Sequence, residues 1–216
     1  MRHLIGTLLV LQATAAWSQQ APERYTPAPG ARDLRAVLFN WTWYMGMLRG
    51  PLETEAVATL ELTATGTIQV DGQPCRLSTY RISTNYQVGG QRIQIACTRP
   101  TGQTYRVVEV VSGQYAWDED TPGAEIVPGK GHATPRPDRL RERLIRLWAG
   151  PQGASKAAIA AGSNASVTWS GSTPTVSFPI PGVSGAVARA RLNANNQAEH
   201  VDVQDGAGRT TFDYAS

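Results

Sequence analysis

The sequence predicts an α+β domain, a largely antiparallel sheet with helices packed on one of its faces. Three observations predict it. Apolar residues recur at steps of three and four over 33–48 and again over 138–149, the period of an amphipathic helix. Period-two runs broken by short turns fill 56–117 and 166–214, the pattern of sequentially paired strands. The resulting order is helix, about five strands, loop, two helices, about five strands, and helices that interrupt such a sheet pack on one of its faces.

The start, MRHLIGTLLVLQATAAWSQQ, reads as a secretory signal peptide over residues 1–18. Arg2 supplies the positive end and Leu4 to Leu11 the apolar run. Ala13-Thr14-Ala15 or Ala16-Trp17-Ser18 fits the small-x-small cleavage pattern. The apolar run is too short to span a bilayer, which takes about 20 residues, and no cysteine follows it to carry a lipid. The expected location is therefore outside the cytoplasm, and no later stretch reads as an integral membrane span. Residues 19–30, rich in Gln and Pro, read as a flexible arm, and 31–216 as a single domain.

From Asp33, the residues Leu34, Val37, Leu38, Trp41, Met45 and Leu48 form one stripe, widened by Trp43, Tyr44 and Met47 and stopped by Gly50-Pro51. Strands follow at Val57–Leu62, Thr67–Val70, Cys75–Ile82, Gln91–Cys97, Tyr105–Val111 and Gln114–Trp117, with turns at Gly66, Asp71-Gly72, Pro100-Thr101-Gly102 and Ser112-Gly113. Residues 118–137 read as a Pro/Gly loop, functional or mobile at that length. Asp138 is expected to cap a helix with Leu140, Leu144, Ile145, Leu147 and Trp148 inward and its arginines toward water. Gly150-Pro151 stops it, and Ala154–Ala161 is a short Ala-rich helix. Strands at Ser166–Trp169, Thr175–Ile180, Val187–Leu192, Ala198–Val203 and Arg209–Tyr214 complete the chain.

Cys75 and Cys97 are the two cysteines. In an oxidising compartment such a pair reads as a disulfide; a metal pair is the alternative, but no third or fourth ligand lies near. A bridge needs close Cα atoms. It therefore favours a wide loop over Ser83–Gly89, with Cys75 opposite Cys97, Leu77 opposite Ile95 and Thr79 opposite Ile93.

Charged residues make up 17% of the chain and the net charge is +3, too mild for a nucleic-acid partner. No catalytic set stands out: there is no Gly-x-Ser-x-Gly, and His132 and His200 are isolated. Asp118, Glu119 and Asp120 are the obvious acids, and adjacent acids on a turn usually face solvent. Asp202-x-x-Asp205-Gly206-x-Gly208 lacks calcium-loop spacing and reads as a hairpin turn. No cofactor and no metal site is indicated, and no feature specifies an oligomeric state. The aromatic content of the helices remains. Trp41, Tyr44, Met45, Leu48, Trp117, Leu144 and Trp148 either fill a core or line an apolar cavity between sheet and helices.

Tyr86-Gln87-Val88-Gly89-Gly90-Gln91-Arg92-Ile93 and Val110-Val111-Ser112-Gly113-Gln114-Tyr115-Ala116-Trp117-Asp118 resemble segments of the LolA-like superfamily of periplasmic lipoprotein carriers. The likeness covers about a third of the chain, with Arg92, Gly113 and Trp117 as matching architectural positions. The resemblance implies a periplasmic, non-enzymatic protein built as a curved antiparallel half-barrel of about 9–11 strands, whose concave face is covered by helices. It also implies a hydrophobic ligand, an acyl chain or a lipidated or apolar protein segment, held between sheet and helices. The long 118–137 loop and the Cys75–Cys97 pair depart from the family pattern. A filled interaction module and a hydrolase using the acidic loop and His132 are the alternatives.

Overall fold

The computed structural model describes residues 25–48, 57–125 and 128–214. The expected signal peptide, the first part of the expected arm and the expected Gly50-Pro51 stop lie outside these residues.

Helix α1 (Leu34–Tyr44) starts where Asp33 Oδ1 accepts the Ala36 N–H at 3.0 Å. It ends four residues earlier than the apolar stripe suggests. Gly46 takes φ +67°, its N–H reaches Trp43 O, and the Met47 N–H reaches Thr42 O. These two bonds form a Schellman stop, and the fully buried Met47 is its apolar anchor. The periodicity continued to Leu48 because the cap itself packs an apolar side chain. In the described part of the arm, Tyr25 packs edge-on against Phe39 and under Arg35.

Strands β1 (Thr59–Thr63), β2 (Thr67–Val70), β3 (Gln73–Asn85), β4 (Gly90–Thr98), β5 (Thr104–Ser112), β6 (Tyr115–Glu119) and β7 (Ala133–Pro135) form one antiparallel sheet. Its order is β1-β3-β4-β5-β6-β7, with β2 pairing the other end of β3. Asp71 and Gly72 both have positive φ and make the expected two-residue hairpin turn. The described part of the 118–137 segment is more structured than its composition suggests. It contains β7, Asp120 and His132 bond each other's backbone, and Ala124 is buried.

The Cys75–Cys97 disulfide is present, with Cα atoms 5.4 Å apart, but the register around it differs from the expected one. The β3–β4 loop is only Tyr86–Gly89. Leu77 faces Cys97, Tyr80 faces Ile95 and Ile82 faces Ile93, with a bulge at Ser78. The cysteines are diagonal neighbours, and strand twist brings one diagonal into bridging range. Requiring them to sit directly opposite displaced the whole hairpin. In the chain-entropy model the bridge contributes about 3 kcal/mol. The double variant Cys75→Ser/Cys97→Ser should lose about that much in urea unfolding, and an unchanged midpoint would show that hairpin pairing alone fixes these strands.

Strands β8 (Ser166–Ser170), β9 (Thr173–Pro179), β10 (Val187–Leu192), β11 (Ala198–Asp205) and β12 (Gly208–Asp213) form a second antiparallel sheet in the order β12-β11-β10-β9-β8. The strands thus make two sheets instead of one. The first sheet's β7 is three residues long, ends in Pro135 and is followed by Pro137, and proline supplies no N–H for a further strand. In β10 the alternation is as read, with Ala188, Ala190 and Leu192 buried and Val187, Arg189 and Arg191 exposed. The Asp205–Gly208 stretch is a tight hairpin in which Asp205 Oδ1 accepts two turn N–H groups.

Helices α2 (Leu140–Ala149) and α3 (Pro151–Ala160) meet at a sharp corner. Asp138 does not cap α2; it sits in a preceding 3-10 turn and pairs with Arg136. Pro151 opens α3 at its first position instead of only ending α2. Gly153 is required at the corner, because a Cβ there would lie 2.2 Å from Leu147 O.

The main core lies between the three helices and the five-stranded sheet. Trp41 packs on Phe178, and Leu144, Ile145, Ala154, Ala157 and Ala158 meet Val176, Ala188, Ala190, Leu192, Val201 and Val203. Alanines on both sides let backbones approach closely. A small second cluster surrounds the disulfide, with Val70, Ile68, Leu77 and Tyr105.

Candidate ligand cleft

Helix α2 has two unlike faces. Leu144, Ile145 and Leu147 belong to the buried interior. The other stripe, Arg139, Glu142, Arg143 and Arg146, follows i, i+3, i+4, i+7 spacing. It was expected to face water. It faces the seven-stranded sheet instead, and Arg143 is only 3% exposed.

Strand register explains what it meets. Ile93, Glu109 and Asp118 form one cross-strand row, and on the same side follow Tyr80, Ile95 and Val107, then Cys97 and Tyr105. Glu109 and Asp118 are therefore carboxylates directly opposite each other, an unfavourable pair by itself. Arginines offset it. Arg146 Nη2 donates to Glu109, and Arg143 Nη2 donates to Asp118 Oδ1. Arg136 Nη1 donates to Asp118 Oδ2 at 2.7 Å. Arg143 Nη1 also donates to Val110 O at 3.0 Å and Trp117 O at 2.7 Å.

Ion pairs hold the helix off the sheet and leave a cleft of about 390 Å³, within the range of small-molecule sites, roughly 300–1,000 Å³. Ile68, Val70, Tyr80, Ile95, Tyr105 and Val107 form its floor. Arg136, Arg139, Glu142, Arg143 and Arg146 form its wall, and Asp71 lies at its far rim. Burial pushes the Tyr105 phenol up, and the carboxylates of Glu109, Asp118 and Asp71 add to the shift.

The residues singled out from sequence lie elsewhere. Trp41 and Leu144 are inside the filled core, with Met45 and Trp148 packed against it. Leu48 is half-buried and Tyr44 is 58% exposed. Trp117 points to the opposite face of the sheet, where its Nε1–H donates to Glu119 Oε1. The seven therefore do not surround one cavity. The cleft residues had a sequence signal in the arginine stripe of α2 and in Glu109, a carboxylate at an inward position of an otherwise apolar strand.

The acidic loop does not converge either. Alternation sends Asp118 toward α2 and Glu119 to the other face, while Asp120 accepts the His132 N–H. Among the described residues no group of His, Cys, Asp and Glu is arranged to hold a metal ion, and no helix is long and apolar enough to cross a membrane. His200 sits on the outward side of the five-stranded sheet, with Nδ1 2.6 Å from Asp213 and Nε2 3.1 Å from Asp202.

The bond to Asp213, with Asp202 beside it, holds the His200 pKa above its ordinary value. A raised folded-state pKa contributes stability that is full below about pH 6.5 and lost as pH rises through the folded value. Asp213, the main partner, is 78% exposed, so the effect is about 1 kcal/mol or less. His200→Gln should flatten the change in melting temperature between pH 5.5 and 8.5, and an unaltered pH profile would assign it to other groups.

No sequence-family model, curated protein or solved structure matches this chain.

Proposed function

We propose that this is an exported, non-enzymatic binding protein of LolA-like, half-barrel design. It holds the apolar chain of a lipid, or a lipidated or apolar protein segment, against the helix-facing side of the seven-stranded sheet. One observation carries the reading. Tyr80, Ile95, Tyr105 and Val107 form an inward floor that remains only half-buried beneath arginines and carboxylates that make most of the cleft's exposed lining polar, because α2 meets this sheet through ion pairs instead of packing. The opposite side of α2 is closed by a filled core. The disulfide suits the oxidising surroundings of the periplasm or the exterior, and the leader at 1–18 accounts for export.

Displacement of a fluorescent apolar probe tests the reading. The disulfide-bonded chain should bind the probe, Ile95→Glu and Val107→Glu should abolish binding, and Trp117→Phe, on the far face, should leave it intact. No binding by the parent chain, or equal binding by the cleft variants, would overturn it.

A second reading, a protein-docking module, is favoured by a shallow hollow on the far face of the sheet. Tyr115 is 74% exposed there, beside Trp117, Ala124 and Pro135. Under that reading Tyr115→Ala weakens partner capture and leaves probe binding in the inner cleft unchanged.

A further inference from the structure

We infer that the ligand of the inner cleft is an amphiphile with an anionic head. Its tail lies on Tyr80, Ile95 and Val107 and its head meets Arg139 and Arg146. The inference rests on the reading of the cleft as an apolar-chain site, and deepens it by naming the ligand class.

The asymmetry between donors and acceptors in the wall carries it. Both oxygens of Asp118 are occupied, one by Arg143 and one by Arg136. Glu109 is engaged by Arg146, and Asp71 at the rim by Arg99 from outside the cleft. Glu109 and Glu142 each keep one oxygen without a bond from a described residue, so the carboxylates are largely but not wholly engaged. The guanidiniums are less fully used. Each has five N–H donors; Arg146 bonds Glu109 through Nη2, and its Nη1 makes no bond to a described residue. Arg139 donates through Nη1 to Glu142 and lies 3.4 Å from Asp138 through Nε. Both of those carboxylates are more than half exposed, so a ligand can replace them at small cost.

Charge points the same way. Three guanidiniums, Arg136, Arg143 and Arg146, converge on two carboxylates, Glu109 and Asp118. The third carboxylate that balances them, Asp138, lies at the exposed end. A cationic head would compete with the arginines already paired to Asp118 and Glu109. A carboxylate or phosphate brings acceptors to arginine forks that match them in shape. A purely hydrocarbon ligand would cover charged groups without replacing their solvation.

Matched twelve-carbon ligands, all below their micellar concentrations, separate the cases by displacing a neutral fluorescent probe from the disulfide-bonded chain. Laurate and dodecyl phosphate test the two anionic head chemistries; dodecyl maltoside and dodecyltrimethylammonium are the neutral and cationic controls. At least one anionic ligand should bind about tenfold more tightly than both controls, the effect of one charge-assisted contact, and the tighter of the two identifies carboxylate or phosphate as the preferred head. Added salt should weaken anionic binding alone. Arg139→Gln, at a half-exposed position where folding is not at risk, and Arg146→Gln should each lower anionic affinity toward that of dodecyl maltoside and leave the maltoside unaffected. Equal affinity for all four heads, or a cationic preference, overturns the inference while the apolar-chain reading stands. Absence of any probe binding overturns both.

Discussion

Arg143→Leu should cost about 3–5 kcal/mol of stability, the range for removing one member of a buried charged pair. The side chain is buried and fastens α2 to two strands at once, through Val110 O and Trp117 O and through Asp118. Leucine fills much of the volume but leaves two carbonyls without their guanidinium donor, and Asp118 keeps only Arg136. Arg143→Lys should recover only part of the loss, because a point charge cannot reach three acceptors in a forked geometry. Arg143→Leu/Asp118→Leu should be less damaging than the sum of the single variants, since neither charge is then stranded. Arg191→Ala serves as the control. Its pair with Glu199 is exposed, at 51% and 38%, so about 1 kcal/mol or less is at stake. Urea unfolding of the oxidised chain reads these variants together with Asp118→Leu. A loss under about 1 kcal/mol for Arg143→Leu would mean that α2 is held by its apolar side alone.

Arg143 also shows where the sequence was legible and where it was not. The apolar stripe of α2 was readable, because its partners are apolar wherever they come from. The direction of the arginine stripe was not, since a cationic face looks the same whether it meets water or a carboxylate row on strands thirty residues away. Local features read well for the same reason: the Asp71-Gly72 turn, the alternation of β10 and the cysteine pair each depend on a few neighbours. The β3–β4 register failed because it was deduced from one cross-link. A four-residue turn, a bulge at Ser78 and a diagonal bridge satisfy that cross-link equally well. The division into two sheets depends on which strand edges meet, and no single strand's pattern records that. The aromatic residues of α1 were conspicuous by type, yet Trp41 fills a core and Tyr44 faces outward. The cleft is floored instead by ordinary strand residues whose significance comes from the ionic helix above them.

Glu119→Gln should be the most damaging isosteric change on the opposite face, at about 3 kcal/mol or more. The Glu119 side chain is 1% exposed. Its Oε1 accepts from Arg92 Nη2 at 2.9 Å and from Trp117 Nε1 at 3.0 Å, and its Oε2 accepts the Gly123 N–H at 2.7 Å. All three partners are donors. A glutamine turned either way sets an NH₂ group against at least one of them, so size is conserved and complementarity is lost. The carboxylate also ties three pieces of chain together, namely β4, β6 and the start of the 118–137 segment. Burial pushes its pKa up, but the bonds from Arg92, Trp117 and Gly123 together hold it below the usual carboxylate value. A depressed folded-state pKa gives stability that is present above the unfolded value, about pH 4.3, and is lost as pH falls through the folded one. Thermal melts from pH 7 down to pH 3 should therefore show a smaller acid-induced loss in Glu119→Gln than in the parent chain, on top of a lower starting stability. Proteolysis around Gly123 should be faster in the variant as well, because the amide that anchored this turn has lost its carboxylate. Parallel acid melts of the two chains would show that Glu119 stabilises through hydrogen-bond shape alone and not through its charge.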